Sequence, residues 1–277
     1  MKPVAFDLQR PSDLVSAIRD LKDLAVDTKV IAGGQSLGPM LNLRLTRPER
    51  LVEVSNTGLM RDISDTAAHV SFGAATRHAE IEDGLTPDPT RGMMPFVAHG
   101  IAYRAVRNKG TIGGSICHAD PAADWVTAMT ALDATIVITT NGNDMRTVPM
   151  SSFMQGAYRT SLAAGEIMTA VQVPKYSDQM VWGYYKVCRK VGEFADAIAA
   201  WVADPAKKYS RVVFGAGAGA PLGSDRLATL LAQTGAVPDL ATIKEELAAL
   251  EPGLDPVKQH LFAVALQRCV KEALSDE

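Results

Sequence analysis

The sequence predicts an α+β fold in two parts, 1–175 and 176–277, with the first part split into lobes at 1–57 and 58–175. Three observations carry this reading. Short β-branched runs alternate with stretches of helical apolar spacing, so strands and helices are mixed along the chain. Two glycine pairs, Gly33-Gly34 and Gly113-Gly114, each follow β-branched residues and precede a serine, Ser36 and Ser115. The polar run Pro174-Lys175-Tyr176-Ser177-Asp178 joins a chain-breaking proline to exposed-type residues and marks the boundary. A length of 277 residues agrees with about two domains.

Residues 3–8 read as a first strand, and Ser12 as the N-cap of the helix after it. Leu14, Ala17, Ile18, Leu21 and Ala25 give that helix one apolar face. A strand over 29–32 runs into the first Gly-Gly turn. Residues 36–45 read as a helix, with Pro39 tolerable only in its first turn. A strand over 51–54 closes a β-α-β-α-β unit near Asn56.

The second lobe opens with strands over 60–63 and 69–73, then a helix over 76–82 capped by Thr76, and an apolar helix over 93–102. The second Gly-Gly turn follows. A helix then runs to about Leu132, with Asp124 as its cap or Pro121 in its first turn. Strands over 134–139 and 145–148 flank Asn141-Gly142, a hairpin signal. A strand over 167–173 ends at Pro174. Beyond the boundary, 181–188 reads as a strand, and the alanines of 194–202 favour helix over strand. A short strand over 211–214 leads into Gly215-Ala216-Gly217-Ala218-Gly219, and helices over 225–233, 240–250 and 256–274 close the chain.

An apolar content of 47% with 21% charged residues describes a packed core rather than disorder. The net charge of −3 supplies no basic footprint for nucleic acid. No apolar run is long enough to span a bilayer, and no signal-like apolar region is present near Met1. Cys117, Cys188 and Cys269 lie far apart with no Cys-x-x-Cys pair, so spacing supports neither zinc nor an iron–sulfur cluster here. A reducing, cytoplasmic setting is expected.

The chemistry centres on Val30-Ile31-Ala32-Gly33-Gly34-Gln35-Ser36-Leu37-Gly38. Glycine permits positive φ and close approach, and successive amides in such a turn form an anion-binding concavity. A second such element at Gly110-Thr111-Ile112-Gly113-Gly114-Ser115 points to one extended polyanion gripped from two sides, the pyrophosphate of a dinucleotide. Gly34-Gln35-Ser36-Leu37-Gly38 also matches the hydrolase pattern Gly-x-Ser-x-Gly, but too little chain precedes it to build that fold's sheet and oxyanion loop. Neither pair follows the nicotinamide fingerprint. Gly215-Ala216-Gly217-Ala218-Gly219-Ala220 comes closer to it, with a glycine-rich strand end as the plainer reading. His118, Asp120 and Asp124 lack a fourth metal ligand, and Asp120-Pro121 breaks their common face. Asp124 reads as a helix cap or as an acceptor for ribose hydroxyls. Lys186 reads as a solvated strand-edge charge or as a cation attracting a reduced, anionic flavin.

Ala32 to Leu37, Arg107 to Ser115 and the run His118-Ala119-Asp120-Pro121-Ala122-Ala123-Asp124 together resemble the FAD-binding medium subunit of the molybdenum hydroxylases, the xanthine dehydrogenase and carbon monoxide dehydrogenase family. Glu166-Ile167, Tyr185-Lys186, Arg189 and Phe194-Ala195 extend the resemblance over nearly the whole chain. It implies a two-lobed FAD-binding domain of the vanillyl-alcohol-oxidase-like (PCMH) type plus a small C-terminal α+β domain. It also implies FAD contacts at Val30, Ile31, Ala32, Gly33, Gly34, Gln35, Ser36 and Leu37, and at Gly110, Thr111, Gly114 and Ser115. Thr76, His118, Asp124, Met168 and Lys186 fall where the family meets the adenosine or the ring. The partners implied are a large subunit with the molybdenum cofactor and a small subunit with [2Fe-2S] clusters, as a dimer of heterotrimers. The chain would pass electrons through FAD to an external acceptor. A self-contained flavin oxidase of similar fold is the competing reading; the last hundred residues are small for a substrate domain. Gly100 to Arg104 and Lys207-Lys208-Tyr209 depart from the family pattern, at positions expected to bear on acceptor choice and on docking.

Overall fold

The computed structural model describes residues 2–275, which form three main sheets around one cleft and a further two-stranded ribbon. The first lobe holds β1 (Asp7–Gln9), α1 (Leu14–Lys22), β2 (Thr28–Ile31), α2 (Leu37–Asn42) and β3 (Arg50–Glu53). Its strands are parallel, in the order β1-β3-β2. α1 buries Leu14, Ala17 and Ile18, the face its spacing predicts. Its cap is Asp13, not Ser12: the Asp13 carboxylate accepts from the Ser16 amide at 2.7 Å, while Ser12 donates its hydroxyl to Asp13. A carboxylate is the stronger acceptor at a helix start, where the dipole also favours negative charge. β1 starts at Asp7, since pairing with β3 begins at Asp7 opposite Arg50.

The second lobe runs through β4 (Ile63–Asp65), β5 (His69–Gly73), α3 (His78–Glu82), α4 (Met93–His99), α5 (Arg104–Arg107), α6 (Ile112–His118), α7 (Asp124–Ala131), β6 (Thr135–Thr139), β7 (Met145–Pro149), α8 (Met150–Phe153), β8 (Met154–Gly156), β9 (Arg159–Thr160) and β10 (Ile167–Pro174). The main sheet is antiparallel, in the order β4-β5-β10-β6-β7. Residues 58–61 form a 3-10 turn rather than strand. Thr76 caps no helix: α3 starts two residues later, with a reciprocal bond from the Arg77 amide to the Glu80 carboxylate.

The second glycine pair is not a turn. Gly113 and Gly114 lie in the first turn of α6, capped by Thr111, whose hydroxyl accepts from the Gly114 amide at 3.1 Å. A side chain at Gly113 would overlap Ala74, so glycine there lets α6 press onto the end of β5. Asp124 likewise does not cap α7; it is that helix's first residue, after Ala123.

The C-terminal part comprises β11 (Val181–Val187), β12 (Ala197–Asp204), β13 (Tyr209–Gly215), β14 (Leu222–Ser224), α9 (Asp225–Thr234), α10 (Leu240–Leu250) and α11 (Pro256–Ser275), with the antiparallel strands in that order. The alanine-rich segment expected to be helical is β12, one of the two inner strands of this sheet. Its alternate residues Ala197, Ala199, Trp201 and Ala203 join the core beneath α9–α11. Ile198, Ala200 and Val202 join the core around α7. A strand covered on both faces loses the polar–apolar alternation by which strands are recognised. α7 is buried along its whole length between the second lobe and this sheet.

Candidate functional site

A cleft of about 730 Å³ opens between the lobes and is closed at one end by β11 and the loop after it. The first glycine loop forms one wall. Gly34 has φ +69°, the left-handed region, and turns the chain from β2 toward α2. A Cβ there would meet nothing nearer than the Ile31 side chain at 3.4 Å. Its carbonyl accepts from the Gly38 amide at 2.8 Å, and the Gln35 side chain folds back onto the Gly33 carbonyl at 2.9 Å. Among the described residues, the amides of Gly34, Gln35 and Ser36 meet no main-chain acceptor. Ser36 precedes α2 without its hydroxyl capping the helix. This wall therefore presents peptide donors and a hydroxyl to the cleft.

The two glycine segments meet. A Cβ on Gly33 would fall on the carbonyl of Lys109 and crowd Gly110, so glycine at 33 serves the close approach of loop to loop. The second segment contributes differently from the first. Its amides are largely spent: Ile112 donates to Thr76, Gly113 to Ala74 and Gly114 to the Thr111 hydroxyl. What it gives the cleft is Gly110, Thr111, the exposed Gly114 and the half-buried Ser115.

Residues 30–37 and Gly110, Thr111, Gly114, Ser115, His118, Asp124, Met168 and Lys186 all line this one cleft, as the sequence reading expects of a shared site. Thr76 does not line it. It is 2% exposed, its carbonyl takes the Ile112 amide, and its buried hydroxyl has no partner among the described residues. His118 ends α6 with its ring 5.2 Å from that of Tyr158. Met168 stands beside a bulge in β10, with its sulfur 3.5 Å from Cys117 Sγ. Burial pushes the Cys117 thiol up to about 12, which makes it filler rather than nucleophile.

Asp124 and Lys186 differ most from their readings in the sequence. Asp124 Oδ2 accepts from Lys186 Nζ at 2.9 Å, and Oδ1 accepts from the Tyr184 hydroxyl at 2.8 Å. Burial pushes the Asp124 carboxyl above the ordinary carboxylate value, opposed by the Lys186 ammonium and the Tyr184 hydroxyl. Lys186 also donates to the Gly100 carbonyl at 3.3 Å. It is thus a buried, paired cation that ties the C-terminal sheet to α7, not a solvated strand edge.

Sequence reasoning missed His78, which forms part of the wall between Gly110 and the core. Its Nδ1 accepts from the buried Trp125 indole at 3.0 Å, which fixes the neutral ring. Burial, with the Arg107 charge nearby, lowers its pKa to about 4. Tyr103, in the segment Gly100 to Arg104 that departs from the family pattern, also lines the cleft, and Arg107 pins that segment through the carbonyls of Ile101 and Ala102 at 2.9 and 3.1 Å. Arg107 is itself held by Glu82 through paired bonds of 2.6 and 2.9 Å. No local pattern marks His78, whose partner Trp125 is distant in sequence.

The cleft suits a dinucleotide: open amides and hydroxyls on one wall, largely apolar surface elsewhere, and room above Gly34 that a branched side chain would fill, while a Cβ on Gly114 would strike the Thr111 hydroxyl. No group of three or more metal-type ligands occurs among the described residues, and no helix there is long and apolar enough to cross a membrane.

Comparison with known proteins agrees. Residues 4–176 match the family described as FAD binding domain in molybdopterin dehydrogenase. The chain is 33% identical over 262 residues to the 6-hydroxypseudooxynicotine dehydrogenase complex subunit alpha of Paenarthrobacter nicotinovorans, covering 93% of this chain and 87% of that one. It is 35% identical to the carbon monoxide dehydrogenase medium chain of Hydrogenophaga pseudoflava, over 71% of this chain and 68% of the relative. Among solved structures, a chain of quinoline 2-oxidoreductase from Pseudomonas putida 86 superposes with a TM-score of 0.84 at 31% identity, covering 100% of this chain and 99% of that one. A chain of the Hydrogenophaga pseudoflava carbon monoxide dehydrogenase superposes with a TM-score of 0.87 at 29% identity, covering 99% of each. Fold, cleft and kinship lead to one conclusion: the chain belongs to the FAD-binding medium subunits of the molybdopterin dehydrogenases, flavoprotein components of multi-subunit molybdenum hydroxylases.

Proposed function

We propose that this subunit holds FAD across its two lobes and passes electrons from the [2Fe-2S] clusters of a small partner subunit to an external acceptor. A large partner subunit would carry the molybdenum cofactor and the organic substrate, the whole forming a dimer of heterotrimers in the cytoplasm. The observation that carries this is the meeting of the two glycine segments, with open amides at 34–36, in a cleft bounded by both lobes and by β11. The full-length similarity to medium chains argues against a self-contained oxidase, which would need a substrate domain of its own.

Bound FAD supplies the redox chemistry; the protein binds it, orients it and sets its electrostatic surroundings. The amides at 34–36 and the Ser36 hydroxyl would hold the diphosphate, with Thr111 and Ser115 facing them from the second lobe. The apolar residues Val30, Ile31, Ala32, Leu37 and Met168, with His118, would flank the remainder of the cofactor. The Lys186–Asp124 pair would lie at the end closed by the C-terminal sheet. The division at residue 175 is part of the same proposal.

Co-expression with its partners followed by affinity capture of this chain tests the reading. Stoichiometric FAD, molybdenum and iron in the captured material are expected. A colourless chain that captures neither partner would refute it.

A further inference from the structure

Tyr184 stands behind the cleft and does not line it, yet its hydroxyl touches a side chain that does. It donates to Asp124 Oδ1 at 2.8 Å, while Lys186, two residues further along β11, donates to Oδ2 at 2.9 Å. All three side chains are buried or nearly so: Tyr184 and Asp124 are each 6% exposed, and the Lys186 side chain 12%. Tyr184 is held from behind as well. The Phe96 ring meets it edge-on at 6.5 Å, and a Cβ on the adjacent Gly183 would strike the backbone of Cys269 in α11. The hydroxyl therefore has a fixed direction and acts on the cleft only through Asp124.

We propose that Tyr184 is a positioning residue: by bonding to Asp124 it fixes the Lys186 ammonium at the cleft wall and so sets the reduction potential of the bound flavin. This rests on the FAD reading given above. In a buried site the field of a carboxylate–ammonium pair is weakly screened, so its balance is felt across the cleft. The Tyr184 hydroxyl draws negative charge from Oδ1. Without it, Asp124 presents a fuller negative charge and draws Lys186 toward itself. Both changes make the cleft more negative. Reduction adds electron density to the ring, so the potential falls. Removing the carboxylate charge leaves Lys186 uncompensated and has the opposite sign.

Spectroelectrochemical titration of the flavin in the purified complex, with flavin content measured on the same samples, tests this. Tyr184→Phe should keep its flavin and shift the potential to more negative values; Asp124→Asn should shift it to more positive values. General loosening of the site would move both the same way, and that result overturns the proposal. So does an unchanged potential in Tyr184→Phe, or loss of flavin from the folded variant. If Tyr184→Phe does not fold, Tyr184→Met, which also lacks the hydroxyl, decides: a negative shift supports the proposal, and an unchanged or positive one overturns it. A wild-type complex that carries no flavin instead refutes the functional reading beneath it.

Discussion

Gly33 and Gly34 are neighbours with different duties. Gly33 must be glycine because a carbonyl of the opposite lobe lies where its Cβ would be, and Gly34 because its φ is +69° and its open side faces the cleft. Gly34→Val and Gly114→Val should each abolish flavin absorbance in the purified protein, the first because a branched side chain fills ligand space, the second because it strikes the Thr111 hydroxyl that caps α6 at the cleft wall. Ser36→Ala removes one hydrogen bond and should weaken FAD by about 1–2 kcal/mol, read by flavin titration of the apoprotein. His78 adds a pH dependence. Its folded pKa of about 4 lies below the unfolded 6.5, so the unfolded chain takes up the proton first as pH falls. Stability is full above pH 6.5 and declines toward pH 4, by roughly 3 kcal/mol from this group. His78→Gln should flatten that part of the profile in urea melts compared across pH 7 to 4, whereas an unchanged slope would remove His78 as its source.

At the scale of elements, small residues set how closely layers approach. Ala197, Ala199 and Ala203 on one face of β12, and Ala200 on the other, leave room for helices on both sides of the sheet. Alanine content was therefore a poor guide to helix here, because burial on two faces overrides intrinsic propensity. Gly183 in β11 lies against the backbone of Cys269 in α11. Gly183→Ala should force strand and helix apart at a cost of about 1–3 kcal/mol, measured as a lowered urea midpoint. The second glycine segment teaches the same lesson. Its motif resembles the first, but one forms a turn and the other a helix start, because Thr111 caps α6 and Ala74 takes the Gly113 amide.

Across the whole molecule, one core runs through both sides of the proposed division at 175. Met180, Tyr184, Ile198, Ala200, Val202 and Val213 pack in the same cluster as Phe72, Trp125 and Ile136. Polar links reinforce the seam: Trp182 donates to the Arg91 carbonyl at 2.9 Å and Arg211 to the Thr130 carbonyl at 3.0 Å. A fragment ending at residue 175 would uncover α7 and lose Lys186 from the cleft. It is expected to aggregate or to bind FAD at least tenfold more weakly than the full chain, by size-exclusion chromatography and flavin titration. By itself the sequence determined the mixed α+β class, most strands and helices and the two glycine segments, because local spacing and turn chemistry are written in neighbouring residues; the grouping of His118, Asp124, Met168 and Lys186 with them came from the family resemblance. The tertiary structure alone decided that Gly33 serves loop contact, that the second segment's amides are spent, that Thr76 stands outside the cleft, that β12 is a strand, and that Asp124 and Lys186 are bound to each other. Each of these depends on groups far apart in the chain, whose meeting is fixed only when the sheets and helices close around a common core.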